Sequence, residues 1–338
     1  MKETTLRKSE VIKVFRTEGR QQNVSLMLKT LIRKKQLPSI GPFNRICCRK
    51  PMKLSLPLLM LLPALLAGCS PLRAFNSLVP KDGGVEQAER GAAFGPHERQ
   101  RLDVYRPARA GAAPLPIIVF IYGGSWQTGT REGYGFAARA LAARGFVVAV
   151  PDYRLVPEVR FPAFLEDGAA AVRWVRANAE RLGADPSRIV IVGHSAGAYN
   201  AAMLALDPRW LGADRASIKG LVGLAGPYDF LPLSGPVTTA AFGEARVPAE
   251  TQPINFASAG DPPALLLHGG ADTTVYPRNS QRLAERLRAS AVDARVKVYP
   301  ELGHVGIVLA LSRPLRGRAP VLDDIAAFAS EVTAARPR

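Results

Sequence analysis

The sequence reads Arg188-Ile189-Val190-Ile191-Val192-Gly193-His194-Ser195-Ala196-Gly197, and an alanine-rich run over residues 198–206 follows directly. The β-branched residues are typical of a strand and the alanine-rich run of a helix, so this stretch predicts a strand, a sharp turn and a helix. The turn has the G-x-S-x-G pattern, in which a serine with strained backbone occupies the apex. Its hydroxyl then lies at a helix N-terminus, where negative charge is stabilised.

A serine hydroxyl is a weak nucleophile near neutral pH and needs a histidine base that a carboxylate orients. Two of the four histidines, His268 and His304, follow Ser195 in the chain. His304 lies in a loop after the strand-like residues 295–299, where such a base is expected. His268 ends an apolar run over residues 264–267 and is interpreted as a locally packed, hydrogen-bonded side chain. The sequence therefore predicts His304 as the general base.

Asp272 is the candidate carboxylate. It lies on a loop just after the predicted strand at 264–267, and it comes between the nucleophile and the base in the chain. The competing acids are Asp261, which precedes that strand, and Glu301. Both are badly placed relative to the strands, so Asp272 is predicted to orient the base.

A second glycine-rich loop is predicted close to the serine. Residues 116–121 are apolar without polar alternation, which is typical of a buried strand, and Tyr122-Gly123-Gly124-Ser125-Trp126 follows. Glycines after a buried strand allow backbone N–H groups to face a substrate oxygen. The alternative is an ordinary glycine turn. Because the glycine pair occurs together with the serine turn, a functional loop is favoured.

These ordered motifs resemble those of the α/β-hydrolase fold. Within that fold the chain resembles the carboxylesterases related to hormone-sensitive lipase and the bacterial acetyl- and feruloyl-esterase-like proteins. The resemblance covers residues 100–329 and is also carried by residues 152–158, 161–163 and 165–167. Strand candidates alternate with five helix candidates along the chain, and this alternation predicts a mostly parallel central sheet with helices on both faces. The strands are expected at about 101–105, 116–121, 146–151, 188–192, 219–224, 263–268 and 295–300, and the helices near 132–144, 164–182, 197–206, 277–290 and 320–335. The irregular stretch at 229–261 is where a small lid is expected.

The resemblance also implies which groups stabilise the oxyanion. The family loop usually reads His-Gly-Gly-Gly, whereas here Tyr122 replaces the histidine and Ser125 replaces the last glycine. Carried over position by position, the donors are the backbone N–H groups of Gly124, Ser125 and Ala196. Both replacements leave these backbone donors in place.

The expected function is hydrolysis of carboxylic esters of small to medium size through an acyl-enzyme on Ser195, with His304 and Asp272 completing a catalytic triad. The stretch at 229–261 is too short for a large lipase-type lid. No cofactor and no metal are expected. Two alternatives are an amidase of the same fold, similar to arylformamidases, and a non-catalytic binding lipoprotein, which the complete set of catalytic groups disfavours.

The segment before this region predicts a membrane anchor. Met52-Lys53 precedes fourteen residues, 54–67, that are largely apolar, too short to span a bilayer but typical of a signal peptide. Leu66-Ala67-Gly68-Cys69 resembles a bacterial lipobox, which predicts a diacylglycerol on the Cys69 thiol. Ser70 predicts delivery to the outer membrane of a Gram-negative cell. Cys69 is the last of three cysteines, which is compatible with an oxidising envelope.

The formal net charge of +17 lies mainly in residues 1–51, which hold thirteen basic and three acidic residues. Beyond them the chain is only mildly basic and has no basic motif interleaved with aromatic residues, so nucleic-acid binding is not predicted. The partners expected are a small ester and, through the lipid, a membrane. The predicted organisation is an over-extended start or a disordered basic tail at 1–51, a signal peptide at 52–68, a tether at 69–99 and the catalytic domain at 100–338.

Overall fold

The computed structural model describes residues 71–334. The predictions for residues 1–51, for the signal peptide at 52–68 and for lipidated Cys69 lie outside the described residues. Within residues 71–334, no helix has both the length and the apolar character needed to cross a bilayer.

The described residues form one sheet of eight strands in the order β1-β2-β4-β3-β5-β6-β7-β8. Strands β1, β2 and β4 pair antiparallel, and all other neighbours pair parallel. The strands are β1 (Val85–Ala93), β2 (Arg101–Pro107), β3 (Leu115–Ile121), β4 (Val147–Pro151), β5 (Ala184–His194), β6 (Ile218–Leu224), β7 (Ala264–Gly269) and β8 (Ala294–Tyr299).

The helices connect these strands and pack against the sheet. They are α1 (Pro71–Leu78), α2 (Gly135–Ala142), α3 (Ala163–Ala177), α4 (Ala196–Leu206), α5 (Pro208–Leu211), α6 (Gly235–Phe242), α7 (Arg278–Ala289), α8 (Gly306–Leu309) and α9 (Val321–Val332). Helix α4 is buried along its whole length against β5 and β6, while α7 covers β7 and β8. Strands β4 and β7 are buried at every residue, because helices exclude water from a parallel sheet.

The prediction of a mostly parallel sheet in an α/β-hydrolase fold is confirmed. The predicted strands and the five predicted helices are present, with boundaries that differ by a few residues. The stretch at 229–261, expected to be irregular, contains the short helix α6 and two 3₁₀ turns, Pro248–Thr251 and Pro253–Phe256. These short elements fit the expected small lid.

Residues 71–99, expected to form part of a tether, instead carry helix α1 and strand β1. Phe75 of α1 packs edge-to-face on Phe136 of α2, with ring centroids 5.2 Å apart, and Asp82 forms a bidentate ion pair with Arg316. Strand β1 pairs with β2 at the edge of the sheet. Its sequence, Val-Glu-Gln-Ala-Glu-Arg-Gly-Ala-Ala, is polar and has no strict alternation, because an edge strand is only partly buried. Because the residues of β1 are polar, the sequence predicted a tether at these positions.

The topology brings four loops to one edge of the sheet. Strands β3, β5, β7 and β8 run parallel, so the loops that follow them all leave from their carboxyl ends. In open α/β sheets this edge is where ligands bind. The loops carry the second glycine-rich stretch, Ser195, Asp272 and His304.

Candidate active site

Ser195 lies at the apex of the turn between β5 and α4. Its backbone has φ 55° and ψ −123°, a conformation that L residues rarely adopt. The turn is closed by glycines, since a methyl group at Gly193 would lie 2.2 Å from the carbonyl oxygen of Gly197. A methyl group at Gly197 would lie 2.1 Å from the carbonyl oxygen of Ile121 in β3. The backbone around the serine therefore fixes the position of its hydroxyl.

The structure brings together the three residues predicted as a triad. Oγ of Ser195 lies 2.7 Å from Nε2 of His304, and Nδ1 of His304 lies 2.7 Å from Oδ2 of Asp272. The carboxylate can only accept, so Nδ1 carries a proton and donates it to Asp272. Nε2 of a neutral ring is then free to accept the Ser195 O–H. This is the arrangement that general-base activation of a serine requires.

Several donors hold the Asp272 carboxylate in its ionised form. Oδ1 accepts the backbone N–H groups of Thr274 and Val275, each at 2.9 Å. Burial alone would raise the pKa of Asp272, but hydrogen bonds from His268 and His304 outweigh it and hold the pKa well below its usual value. The carboxylate therefore stays charged and stabilises an imidazolium on His304.

His268 is fully buried and bonded locally, as its sequence position predicts. Its Nδ1 lies 2.7 Å from Oγ of Ser280, and its Nε2 lies 2.8 Å from the carbonyl oxygen of Val275. Nε2 is also 3.4 Å from Oδ2 of Asp272. His268 thus helps to hold the Asp272 carboxylate in place, and it is too deeply buried to act as the base.

The loop after β3 has an unusual backbone. Gly124, Ser125 and Trp126 have φ values of 142°, 57° and 57°, so three consecutive residues have positive φ. A methyl group at Gly124 would lie 2.1 Å from the carbonyl oxygen of Thr128, which explains the glycine there. Ser125 and Trp126 carry the strain of the left-handed region without that freedom.

The three predicted oxyanion donors have no acceptor in the part of the chain that the structure describes. Among residues 71–334, no group accepts the backbone N–H of Gly124, Ser125 or Ala196. Ala196 is the first residue of α4, where a helix leaves its N–H groups unpaired. A carbonyl oxygen bound beside Ser195 can take up these donors as it gains negative charge.

Distant side chains hold the oxyanion loop in this shape. The Trp126 indole N–H donates to Oδ1 of Asn200 at 3.1 Å, and its ring packs edge-to-face on Tyr199 and Phe242. Tyr122, in the position of the family histidine, donates its hydroxyl proton to Asp152 at 2.8 Å. Asp152 therefore belongs to the scaffold under the loop.

Arg99 completes the support of the oxyanion loop. Its guanidinium donates to the Tyr122 hydroxyl at 2.8 Å and to the carbonyl oxygen of Gly129 at 2.9 Å. Arg99 and Asn200 were not predicted from the sequence, because each lies far from the loop in the chain. His194 was also given no role, although its place inside the pentapeptide brings it next to the serine.

A strained serine on a strand-to-helix turn, with its base and acid on later loops at the same sheet edge, places the protein among the α/β-hydrolases. A family model narrows this class. The BD-FAE model matches residues 102–287, more than half of the chain, and the chain belongs to the BD-FAE family.

Individual proteins extend the comparison. The chain is 31% identical over 271 residues to Esterase LipC of Mycobacterium tuberculosis (strain ATCC 25618 / H37Rv), covering 73% of this chain and 66% of that protein. It is 28% identical over 266 residues to isoprenylcysteine alpha-carbonyl methylesterase ICME of Arabidopsis thaliana, covering 71% of this chain and 61% of that protein. The chain thus spans less than two thirds of either relative.

Among solved structures, the fold is similar to that of a truncated form of a carbohydrate esterase from gut microbiota. The TM-score is 0.66 at 23% sequence identity, and the alignment covers 76% of this chain and all of that one. At this identity the similarity concerns the fold.

Proposed function

We propose that this protein is a serine carboxylic ester hydrolase that acts through an acyl-enzyme on Ser195. The observation that carries the proposal is the continuous hydrogen-bonded row of Ser195, His304 and Asp272 beside three backbone N–H groups that lack acceptors among residues 71–334. The two relatives described above are both named as esterases, which supports the same reaction class.

The geometry supports the following acylation step. Nε2 of His304 removes the Ser195 proton while Oγ attacks the ester carbonyl carbon, and the carbonyl oxygen becomes an oxyanion. The N–H groups of Gly124, Ser125 and Ala196 stabilise that oxyanion. His304, now an imidazolium paired with Asp272, gives its proton to the leaving alcohol, and an acyl-Ser195 ester remains.

Deacylation uses the same groups in reverse. His304 removes a proton from a water molecule, whose oxygen attacks the acyl carbon and forms a second oxyanion in the same position. Ser195 leaves with the proton from His304, and the carboxylic acid is released. The net reaction adds one water molecule across the ester bond.

The surroundings of the site favour esters of small to medium size. The stretch at 229–261, where the lid is expected, contains α6 and two short 3₁₀ turns. Tyr276 and Val305, which follow Asp272 and His304 closely in the chain, are 50% and 38% exposed. Exposed apolar side chains on the loops that carry the acid and the base are suited to an apolar part of the substrate.

A substrate screen tests the proposal. We expect purified protein to hydrolyse short-chain p-nitrophenyl esters, and we expect Ser195→Ala to reduce turnover by about 10⁴-fold or more. The same screen should include N-formyl aromatic amides, because an amidase would use the same tetrahedral intermediate. Faster turnover of the amides would make the protein an amidase, and equal activity of wild type and Ser195→Ala would refute the serine mechanism.

We further propose that Cys69 carries a diacylglycerol and anchors the enzyme in a bacterial envelope, in the outer membrane of a Gram-negative host. The lipobox-like sequence supports this, as does the start of helix α1 only two residues later, which joins the anchor site closely to the catalytic domain. Acyl chains on Cys69 would give the enzyme affinity for the membrane.

Mass spectrometry of the membrane fraction tests the anchor. We expect a lipid-modified peptide that begins at Cys69 and its loss in Cys69→Ala. A soluble protein with an unmodified Cys69 thiol would refute the anchor without affecting the proposed chemistry.

A further inference from the structure

Two buried polar side chains beside the triad take no part in the reaction described above. Tyr134 ends the 3₁₀ turn Arg131–Tyr134, and His194 is the last residue of β5, directly before Ser195. Only 2% of Tyr134 and 3% of His194 are exposed, so their polar atoms need partners within the protein. Those partners lie in two different loops of the site.

The two side chains connect the oxyanion loop to the loop of the general base. The Tyr134 hydroxyl accepts the backbone N–H of Gly123 at 3.2 Å and lies 3.0 Å from Nδ1 of His194. Nε2 of His194 lies 3.0 Å from the backbone carbonyl oxygen of His304. A continuous path of three hydrogen bonds, called the bridge, therefore joins Gly123 to His304.

The protons of this path are fixed by chemistry. The carbonyl oxygen of His304 can only accept, so Nε2 of His194 carries a proton and donates it. Nδ1 of the neutral His194 ring then accepts the Tyr134 O–H. The Tyr134 oxygen is left to accept from Gly123, so all three bonds run in one direction and every group is satisfied.

The charge of His194 is compatible with this direction. Burial, together with the charge on nearby His304, lowers the pKa of His194 from 6.5 to about 3. The ring therefore stays neutral, and its Nδ1 stays an acceptor, over the pH range in which an esterase of this type is assayed.

The oxyanion loop also packs directly against the backbone of His194. A methyl group at Gly123 would lie 2.8 Å from the carbonyl oxygen of His194 and 2.8 Å from Cβ of Ser195. A shift of His194 therefore displaces Gly123, and with it the N–H groups of Gly124 and Ser125 that follow.

We propose that Tyr134 and His194 are positioning residues that hold the general base and the oxyanion donors at a fixed distance from each other across Ser195. This inference rests on the serine mechanism proposed above. It assigns His194, the variable residue of the G-x-S-x-G pattern, to both halves of the site. A 1 Å displacement of a reacting group is enough to reduce the rate about 100-fold.

The test removes one hydroxyl and keeps its ring. Tyr134→Phe leaves the ring stacked on Tyr122, with centroids 5.6 Å apart, but breaks the path at its centre. Tyr228→Phe is the matched control, because Tyr228 is equally buried and its hydroxyl has no hydrogen-bond partner among residues 71–334. Thermal unfolding of both variants establishes that each is folded before activity is compared.

The readout is the second-order rate at which a fluorophosphonate probe labels Ser195, measured by intact mass, together with kcat and KM on p-nitrophenyl acetate. We expect labelling and kcat to fall about 10- to 100-fold in Tyr134→Phe, with KM within about threefold of wild type, and no change in Tyr228→Phe. Equal rates in Tyr134→Phe and wild type, or a change confined to KM, would overturn the bridge.

A second pair of variants keeps the proposal falsifiable if Tyr134→Phe does not fold. Gln carries an acceptor and a donor about as far apart as the two ring nitrogens of histidine, so His194→Gln is expected to keep more kcat than His194→Leu by about tenfold. Equal loss in both would overturn the bridge. Failure of the wild type to be labelled at Ser195 would instead refute the serine mechanism, and the bridge with it.

Discussion

The nucleophile turn at residues 193–197 and the oxyanion loop at 122–126 meet at the same substrate atom, yet they are held in place differently. The turn is fixed by its own backbone and by that of β3, which leave no space for a methyl group at Gly193 or Gly197. The oxyanion loop is fixed by side chains from remote parts of the chain, among them Arg99 and Asn200. A substitution that disturbs the backbone packing of the turn is therefore expected to abolish activity. Loss of one side-chain contact of the oxyanion loop is expected to reduce activity only in part.

The largest effect is expected for Gly197→Ala. The added methyl group would lie 2.1 Å from the carbonyl oxygen of Ile121 and 2.4 Å from that of Tyr122, and neither backbone group can move away cheaply. We expect insoluble protein, or activity reduced by about four orders of magnitude or more. Soluble yield and p-nitrophenyl acetate turnover measure this.

Gly111→Ala is the matched control for that substitution. Gly111 has no heavy atom within 4 Å of an added methyl group and lies in a loop away from the site. It should behave as wild type. Normal turnover of Gly197→Ala would mean that the turn is not held by its backbone.

A loss nearly as large is expected for Asp272→Asn. This variant tests whether the proton and the orientation of the His304 ring depend on its contact with Asp272. The amide keeps the shape of the side chain but no longer favours a proton on Nδ1 of His304, so kcat should fall by about 10³- to 10⁴-fold. Glu301→Gln, at the competing carboxylate, should retain full activity. Comparable losses in both variants would mean that Asp272 is not the orienting acid.

A smaller effect is expected where the oxyanion loop is held by Trp126 and Asn200. Trp126→Phe removes the indole N–H and Asn200→Leu removes its acceptor, and each should lower kcat about tenfold with little change in KM. The double variant should lose no more than the larger single loss, because both changes break one contact. Fully additive losses would show that the two residues act separately.

The smallest expected effect is the contribution of His194 to the pH dependence of the free energy of unfolding. The folded pKa of His194 is about 3, below its ordinary value of 6.5, so the unfolded chain binds the extra proton between these values. Stability is therefore lost as pH falls below 6.5, by about 2 kcal/mol between pH 7 and pH 5. Urea unfolding of wild type and His194→Gln at both pH values measures this, and the variant should lose about that much less. Parallel losses would mean that His194 does not titrate as its burial implies.

The same comparison explains what the sequence could and could not predict. The pentapeptide around Ser195 determines its own conformation, so strand, turn and helix were predicted from adjacent residues. The positions of Asp272 and His304 after their strands were enough to propose the base and the acid. Both inferences depended only on local pattern and order along the chain.

The contacts that were missed join residues with no pattern in common. Asn200 meets Trp126 across 74 positions, and Arg99 meets Gly129 across 30, so only the folded chain brings them together. The first helix and strand were missed for a related reason. Both elements are short, and β1 is polar and lies at the edge of the sheet. Helix α1 is held in place by contacts such as that of Phe75 with Phe136.

The strained backbone of the site has a consequence for the evolution of this protein. Five non-glycine residues among 71–334 have positive φ, and three of them are Ser125, Trp126 and Ser195. Each left-handed residue costs the folded state about 1 kcal/mol. Selection for heat resistance would therefore favour replacement at these three positions, while selection for turnover would oppose it. At Ser125 the two pressures can agree, because glycine, the usual family residue there, removes the strain and keeps the N–H group.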